Sequence, residues 1–219
     1  MNTDLCWGIS EEHIDFCALE KPVHKSLVIP LCNLKKQAKT AGFELCIASG
    51  FRSFQRQLEI WNAKARGERT VLNNEGRPLQ RLSVSKTELM FAMLRWSALP
   101  GASRHHWGSD VDIYDAKAIS PSNLQLLPCE YQESGPCAAL HRWLRSHLQA
   151  DQFFWPYCQD LGGVAPEPWH LSYRPIAQSF EQSLTIDGLA QLVESAPIEL
   201  KKEIMQNLDV IFRKYTQSV

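Results

Sequence analysis

Charge of one sign is what this sequence has no surplus of: 23 Lys and Arg stand against 24 Asp and Glu, a formal net charge of -1. That balance excludes a global attraction to nucleic acid or to an anionic membrane surface, so an anionic substrate has to be met by individually placed Arg or Lys. No run of apolar residues is long enough to span a bilayer. The opening stretch from Met1 to His13 has no basic start, no long apolar centre and no small-residue cleavage site. No secretory signal is expected from it, and the expected location is the cytosol. Paired-cysteine spacing is missing too. The seven cysteines, at 6, 17, 32, 46, 129, 137 and 158, are odd in number, contain no Cys-x-x-Cys and mostly sit in apolar runs. They are expected to be reduced, buried small hydrophobes and not a disulfide framework.

What is present is 219 residues, 44 % hydrophobic and 21 % charged, enough for one sizeable core. Leu27, Leu31, Leu34 and Ala38 recur at helical spacing over 26–41, with Gly42 as the stop. The short run Phe43 to Ala48 reads as a buried strand leading into Ser49-Gly50-Phe51-Arg52-Ser53. Ser53 is a candidate N-cap for a helix striped by Phe54, Leu58, Trp61 and Ala65 and closed by Gly67. Arg52 therefore stands where a strand gives way to a helix. Residues 68–85 are polar and basic and read as a long loop or lid. Ser85 can cap a helix containing Leu89, Met93 and Trp96, which must end near Leu99 because Pro100 follows.

Asp110-Val111-Asp112-Ile113-Tyr114 alternates. As a strand it turns Asp110, Asp112 and Tyr114 to one face and Val111 and Ile113 to the other. That face is either a solvated edge or a site. A loop rich in Ser and Pro follows to about Ser134, then a helix opened by Pro136 and a short aromatic strand at Phe153-Phe154-Trp155. Pro168 keeps Glu167 extended, so Glu167 is expected in a turn and His170 in the strand after it. The last forty or so residues are helical in pattern. Asp187 is a candidate cap, and Pro197 opens a helix striped by Ile204, Leu208, Ile211 and Tyr215.

His105, an Asp seven positions on at 112, and a distant His170 with Glu167 three residues ahead make a chemically coherent set. Two neutral imidazoles and a carboxylate bind a catalytic zinc that keeps one position open for water, and a nearby glutamate is the base such a water needs. Asp110 and His106 are the alternatives to Asp112 and His105 as ligands. His13, His24, His141 and His147 are expected to serve packing or solvation.

The arrangement Ser-x-His-x-x-Gly-x-x-x-Asp, then Glu-x-Trp-His, with Ser-Gly-Phe-Arg-Ser upstream, resembles the zinc-dependent LAS peptidases. Within them it is similar to the VanY-like D,D- and L,D-carboxypeptidases of peptidoglycan metabolism. The resemblance covers roughly 44–173. It implies one zinc ion held by His105, Asp112 and His170, with Glu167 as catalytic base. Arg52 would bind substrate and steady charge at the scissile carbonyl, while Gln57 and Ser103 would contact the peptide. The implied fold is α+β, a small antiparallel sheet with helices on one side and a zinc cleft, LAS/Hedgehog-like. Three departures stand out: Asp110 replaces a small residue, Phe51 replaces the usual Tyr, and the C-terminal helices lie outside the resemblance.

The expected organisation is a carboxypeptidase domain over 1–175 and a helical extension over 176–219, packed on the core or on a partner. The expected partner is a small peptide or muropeptide, with no nucleic acid, no membrane and an open oligomeric state. The leading expected activity is L,D-cleavage of a tetrapeptide, releasing D-Ala during muropeptide recycling. D,D-carboxypeptidase or D,D-dipeptidase action is the same chemistry with another pocket. A non-catalytic zinc module is the third reading, and Glu167 argues against it because a structural site has no use for an unligated glutamate.

Overall fold

The chain opens with elements too short to carry a period: helix α1 (Thr3–Cys6), then strands β1 (Ile14–Asp15) and β2 (Val23–His24), paired antiparallel. The computed structural model of the chain describes residues 3–148 and 152–216. The first apolar period gives α2 (Val28–Thr40), which buries Leu31, Leu34 and Ala38. The run after Gly42 gives β3 (Leu45–Ser49). Ser53 caps α3 (Phe54–Arg66) by accepting the Arg56 N–H, and Gly67 ends that helix at φ 83°. The polar stretch beyond it folds back on itself through a bridge between Leu72 and Pro78, is tied down where Trp96 Nε1 donates to the Asn73 carbonyl, and contains a 3-10 turn over Arg81–Ser83. Ser85 and Glu88 form a reciprocal capping box for α4 (Lys86–Trp96), which stops three residues short of Leu99.

Next come β4 (Asp110–Asp115), α5 (Pro128–Tyr131) inside the Ser/Pro-rich loop, α6 (Ala138–His147), β5 (Phe153–Phe154) and β6 (His170–Tyr173). The strands form one antiparallel sheet in the order β3-β4-β6-β5. Side chains alternate across a strand, so Val111 and Ile113 join Leu45, Ile47 and Leu171 in the main core with Leu31, Trp61 and Met93 of the helices. Tyr114 lies on the opposite face, in a smaller cluster with Tyr131, Cys137 and Trp169. The carboxylate face of β4 is not a solvated edge: β4 is a central strand and all six of its residues are buried.

Among the described residues, α7 (Arg174–Glu181), α8 (Ile186–Ser195), α9 (Lys201–Gln206) and α10 (Leu208–Ile211) follow, and α10 runs into a π-helical turn over Phe212–Thr216. Thr185, and not Asp187, caps α8 through the Gly188 N–H, which leaves Asp187 in the first turn, where its charge favours the helix dipole. The stripe expected from Pro197 onward is divided, because Leu200 takes a left-handed φ of 61° and a helix starts only after it. Phe180, Leu189, Val193, Ile204 and Ile211 lie in the same apolar core as Leu31 and Met93. None of the seven cysteines is in a disulfide, but only Cys6 and Cys137 are buried, contrary to the expectation for the set, and Cys17, Cys129 and Cys158 are exposed. Among the described residues no helix is long and apolar enough to cross a membrane.

Candidate metal centre and cleft

Strand register brings the distant halves of the motif together. In the β4–β6 ladder Asp112 stands opposite His170, and Asp110 opposite Ser172. His105 arrives from a single 3-10 turn over Arg104–Trp107, which Gly108 ends at φ 66°. A Cβ at position 108 would sit 2.7 Å from the backbone nitrogen of His24, so the approach requires glycine. Ligand atoms of His105, Asp112 and His170 lie within 4.8 Å of one another, and all three residues are buried. His105 Nε2 is 3.4 Å from Asp112 Oδ2, and His170 Nδ1 is 3.3 Å from Asp112 Oδ1.

These spacings fit zinc, since N and O ligands at about 2.0–2.2 Å from a tetrahedral centre stand about 3.3–3.6 Å apart. Asp112 Oδ1 is buried without a hydrogen bond, as befits an oxygen that a cation satisfies. The remaining nitrogen of each histidine is fixed: His105 Nδ1 donates to the Gly50 carbonyl at 2.9 Å and His170 Nε2 to Asp110 Oδ1 at 3.0 Å. Burial opposes charge on Asp112 and Asp110. His105 and His170 around the first, and Arg104 and His170 around the second, nonetheless hold both carboxyls below the usual range. Burial also opposes charge on His170, but Asp110, Asp112 and Glu167 around it raise its pKa well above the ordinary value. A cation entering the site displaces that proton.

Asp110 is committed elsewhere. It is fully buried, and its Oδ1 also accepts from Arg104 Nε at 2.7 Å while Oδ2 accepts the Ser109 hydroxyl. Arg104, only 2 % exposed, donates through Nη2 to Ser172 Oγ at 2.8 Å and approaches Glu181 Oε1 at 3.3 Å. Its guanidinium lies over the Trp107 ring, 4.6 Å from the centroid. The motif reading passed over Arg104, which stands between Ser103 and His105 with nothing local to mark it. His106 turns away from the triangle. Its Nδ1 donates to the Arg52 carbonyl at 2.6 Å, and its Nε2 accepts the Gly101 N–H at 3.0 Å. Burial lowers its pKa to about 3 and keeps the ring neutral.

Glu167 reaches the same place through a turn. The His170 N–H bonds to the Glu167 carbonyl at 3.1 Å, and Glu167 Oε2 comes to 3.3 Å from His170 Nδ1. On the other side, β3 ends in a register shift between Ile47 and Ser49, an irregularity that re-aims the strap carrying Arg52. The Arg52 N–H bonds to the His105 carbonyl at 3.1 Å. Its guanidinium donates to Gln57 Oε1 at 2.8 Å and to Ser49 Oγ at 3.1 Å. Gln57 is fully buried, and its Nε2 donates to the Ala98 carbonyl at 2.6 Å. It is absent from the cleft wall and reaches a ligand only through Arg52, in contrast to the expected direct contact. Ser103 does border the cleft, which has a volume of about 460 Å³. Lys64, Arg69 and Tyr157 also line it, and the sequence reading assigned none of them to the site. The Tyr157 ring meets His170 edge-on at 5.0 Å.

A family model described as VanY, D-alanyl-D-alanine carboxypeptidase, matches residues 20–176. An uncharacterised protein of Haemophilus influenzae is 34 % identical over 120 residues, covering 53 % of this chain and 92 % of that protein. Among solved structures, VanYB in complex with D-Ala-D-Ala is similar at a TM-score of 0.53 and 21 % identity, over 81 % of this chain and 87 % of that one. The zinc(II) complex of a vancomycin-resistance D,D-pentapeptidase VanY mutant gives 0.52 and 22 %, over 82 % and 91 %. The LD-carboxypeptidase LdcB gives 0.50 and 22 %, over 75 % and 66 %. At these identities the structural likeness shows a shared fold.

Proposed function

The chain belongs to the VanY family of D-alanyl-D-alanine carboxypeptidases, zinc metallopeptidases of the LAS superfamily, and within that family we propose that it is an L,D-carboxypeptidase that removes the terminal D-Ala from peptidoglycan-derived tetrapeptides. The observation that carries this reading is the charge of the cleft. Arg52, Lys64, Arg69 and Arg104 line it, and with Arg104 paired to Asp110 and Glu181 three cations remain, while the only carboxylates among the lining residues are Asp112 and Glu167. A D-Ala-D-Ala end offers one carboxylate to three cations. A tetrapeptide whose third residue is a diamino acid bearing its own carboxylate offers two beside the scissile bond. A site built to bond such groups rejects analogues lacking them far more strongly than an apolar pocket does. The exposed thiols of Cys17, Cys129 and Cys158 support the reading that this happens in the reducing cytosol, on recycled muropeptides.

In this proposal His105 Nε2, Asp112 and His170 Nδ1 hold the zinc, and Asp110 fixes the ring of His170 from behind. A zinc ion held there would supply Lewis-acid chemistry, activating water and polarising the scissile carbonyl. Glu167, beside His170 and open to the cleft, takes the proton of the attacking water and returns it to the leaving amine. Arg52 donates to the carbonyl oxygen as charge develops there, a contribution of about 3–4 kcal/mol in comparable sites. Ser49 and Gln57 prevent its guanidinium from swinging, and Ser103 offers a hydroxyl to the peptide.

The test is release of D-Ala by the zinc-loaded protein from a free tetrapeptide and from a pentapeptide ending in D-Ala-D-Ala. Faster release from the tetrapeptide is expected, and a chelator should abolish it. Faster release from the pentapeptide overturns the L,D assignment in favour of D,D-cleavage, the reading that draws its support from the description of the family model.

A further inference from the structure

Glu167 is carried by chain that has no regular structure of its own: residues 155–169, between β5 and β6, form neither helix nor strand. A connection that long is uncommon in a compact domain unless it serves a function, and a base placed on it has to be held from outside. One tie is internal. The Glu167 N–H bonds to the Tyr157 carbonyl at 2.9 Å and closes the intervening residues into a loop. Tyr157, Val164 and Glu167 border the cleft. The remaining ties of the loop lead away from the cleft, and they converge on Arg95.

Arg95 lies in the last turn of α4, with its side chain 11 % exposed. Nη1 donates to the Gly163 carbonyl and to Asp160 Oδ1, both at 2.9 Å, and Nη2 donates to Asp160 Oδ2. Its backbone carbonyl, one of those that the end of a helix leaves without a partner inside the helix, accepts the Ala165 N–H at 2.9 Å. Asp160 Oδ1 in turn accepts the Gly162 N–H at 3.0 Å. A planar guanidinium that meets a carboxylate with two prongs and a carbonyl besides fixes direction as well as distance, which an isolated surface ion pair does not. Gly163 is confined from another side as well, because a Cβ there would run into the Lys214 carbonyl. Arg95 itself does not line the cleft.

We propose that Arg95 is the positioning residue of the catalytic base: it fixes the loop 157–167 to the end of α4 and so sets where Glu167 stands relative to the metal site. This rests on the peptidase reading above and holds for L,D- and D,D-cleavage alike.

The experiment compares zinc-loaded wild type, R95M and D160A, each alone and combined with E167Q, on whichever of the two peptides the wild type cleaves faster. R95M should lose roughly 10- to 100-fold in kcat, up to the effect of about 1 Å of misplacement, while KM and zinc affinity hold. D160A changes a residue that is 53 % exposed, should fold normally, and should lower kcat in the same way by less. In the E167Q background neither change should lower the residual turnover further, because residues that act as a unit are not additive. Hydrogen exchange at the Ala165 and Glu167 amides of the zinc-loaded protein is independent of turnover: both should lose protection in R95M, while the amides of α4 keep theirs. Unchanged kcat in folded, zinc-loaded R95M or, should R95M not fold, in D160A overturns the assignment. So does an equal loss in the E167Q background, or a fall in zinc affinity that accounts for the whole loss. If the wild type cleaves neither peptide, the peptidase reading fails and exchange alone judges Arg95: lost protection at Ala165 and Glu167 keeps it as the brace of that loop, and unchanged protection removes it.

Discussion

Asp110→Asn is the most informative single change, because it removes a charge and leaves the shape. Asp110 is 0 % exposed, with Arg104 Nε at 2.7 Å and His170 Nε2 at 3.0 Å on Oδ1 and the Ser109 hydroxyl on Oδ2. An amide oxygen can keep both bonds at Oδ1, and the new NH2 can donate to Ser109, whose proton then turns away. What is lost is the countercharge of Arg104, itself 2 % exposed. Breaking a buried pair by neutralising one partner costs about 3–5 kcal/mol. Glu181, 3.3 Å from Arg104 but 29 % exposed, retains part of the compensation, so the low end is expected. At this chain length about 3 kcal/mol corresponds to a fall in Tm of roughly 6–12 °C. Zinc affinity should fall about 10-fold, the lower end of the 10- to 100-fold cost of losing a ligand's hydrogen-bond partner, because the ring of His170 stays oriented while its basicity drops. Asp110→Ala, which also frees the ring, should reach the upper end. Calorimetry of the metal-free protein and zinc competition against a chromophoric chelator measure the two effects separately. Wild-type zinc affinity in D110N would reduce Asp110 to a purely structural partner of Arg104. Complete loss of zinc would make it a ligand and refute the assignment to Asp112.

Glu167→Gln should leave zinc bound, as metal analysis would show, while turnover falls by about 10²- to 10⁴-fold; surviving turnover would place the base elsewhere. Acid should destabilise the fold through His24, whose pKa burial, then His13 and Lys25, lower to about 4. Its ring nitrogen accepts the Ser26 N–H and so must be neutral. An unfolded histidine titrates near 6.5, so between about pH 6.5 and 4 the unfolded chain binds a proton that the folded chain refuses. Stability is therefore full above that window and falls as the pH drops through it, and His24→Gln should flatten the fall in urea midpoints between pH 7.5 and 4.5. Gly108→Ala should cost at least about 1–2 kcal/mol for the left-handed backbone alone. The added methyl would also lie 2.5 Å from Ile14 Cδ1 and 2.7 Å from the His24 nitrogen. Tm and zinc content should fall together, and an unaltered Tm would contradict the packing argument.

Local signals carried much of the fold. Ser53, Gly67, Ser85 and Glu88 mark helix ends because caps are made within four residues, and the alternation of 110–114 assigns its two faces because strand geometry has period two. What local signals could not carry is pairing at a distance. The sequence offers no register between Asp112 and His170, 58 positions apart, and without it a carboxylate face on a strand reads equally well as a solvated edge. Arg104 was illegible for the same reason: its partners Asp110, Ser172 and Glu181 are 6, 68 and 77 positions away. Lys64 sits beside Ala65 on a helix, where a lysine reads as solvent-facing until the loop carrying Arg69 and the turn carrying Glu167 enclose it. Gln57 is the converse case. Its motif position points to a peptide contact, and what the motif does not show is that its amide donates to the Ala98 carbonyl, 41 positions on, while its oxygen holds Arg52.

The C-terminal helices lie beyond the end of the family match at residue 176, yet the site leans on them. Glu181 at the end of α7 is the second counterion of Arg104, and Phe180 stacks on Trp107 at 5.9 Å, in the turn that carries His105. On the other side of the cleft, Trp61 Nε1 donates to the Glu199 carbonyl at 3.0 Å, and Asn62 bonds both the Pro197 carbonyl and the Glu199 N–H at 2.9 Å. Those bonds hold α3, the helix that positions Arg52 through Gln57 and carries Lys64. One appended segment thus braces both the metal-side turn and the cationic wall. The separation between these two surfaces decides whether a peptide carboxylate and its scissile carbonyl are met at the same time. A misplacement of about 1 Å can cost on the order of 10²-fold in rate, so loosening the contacts of residues 197–199 should show first in turnover and only later in stability.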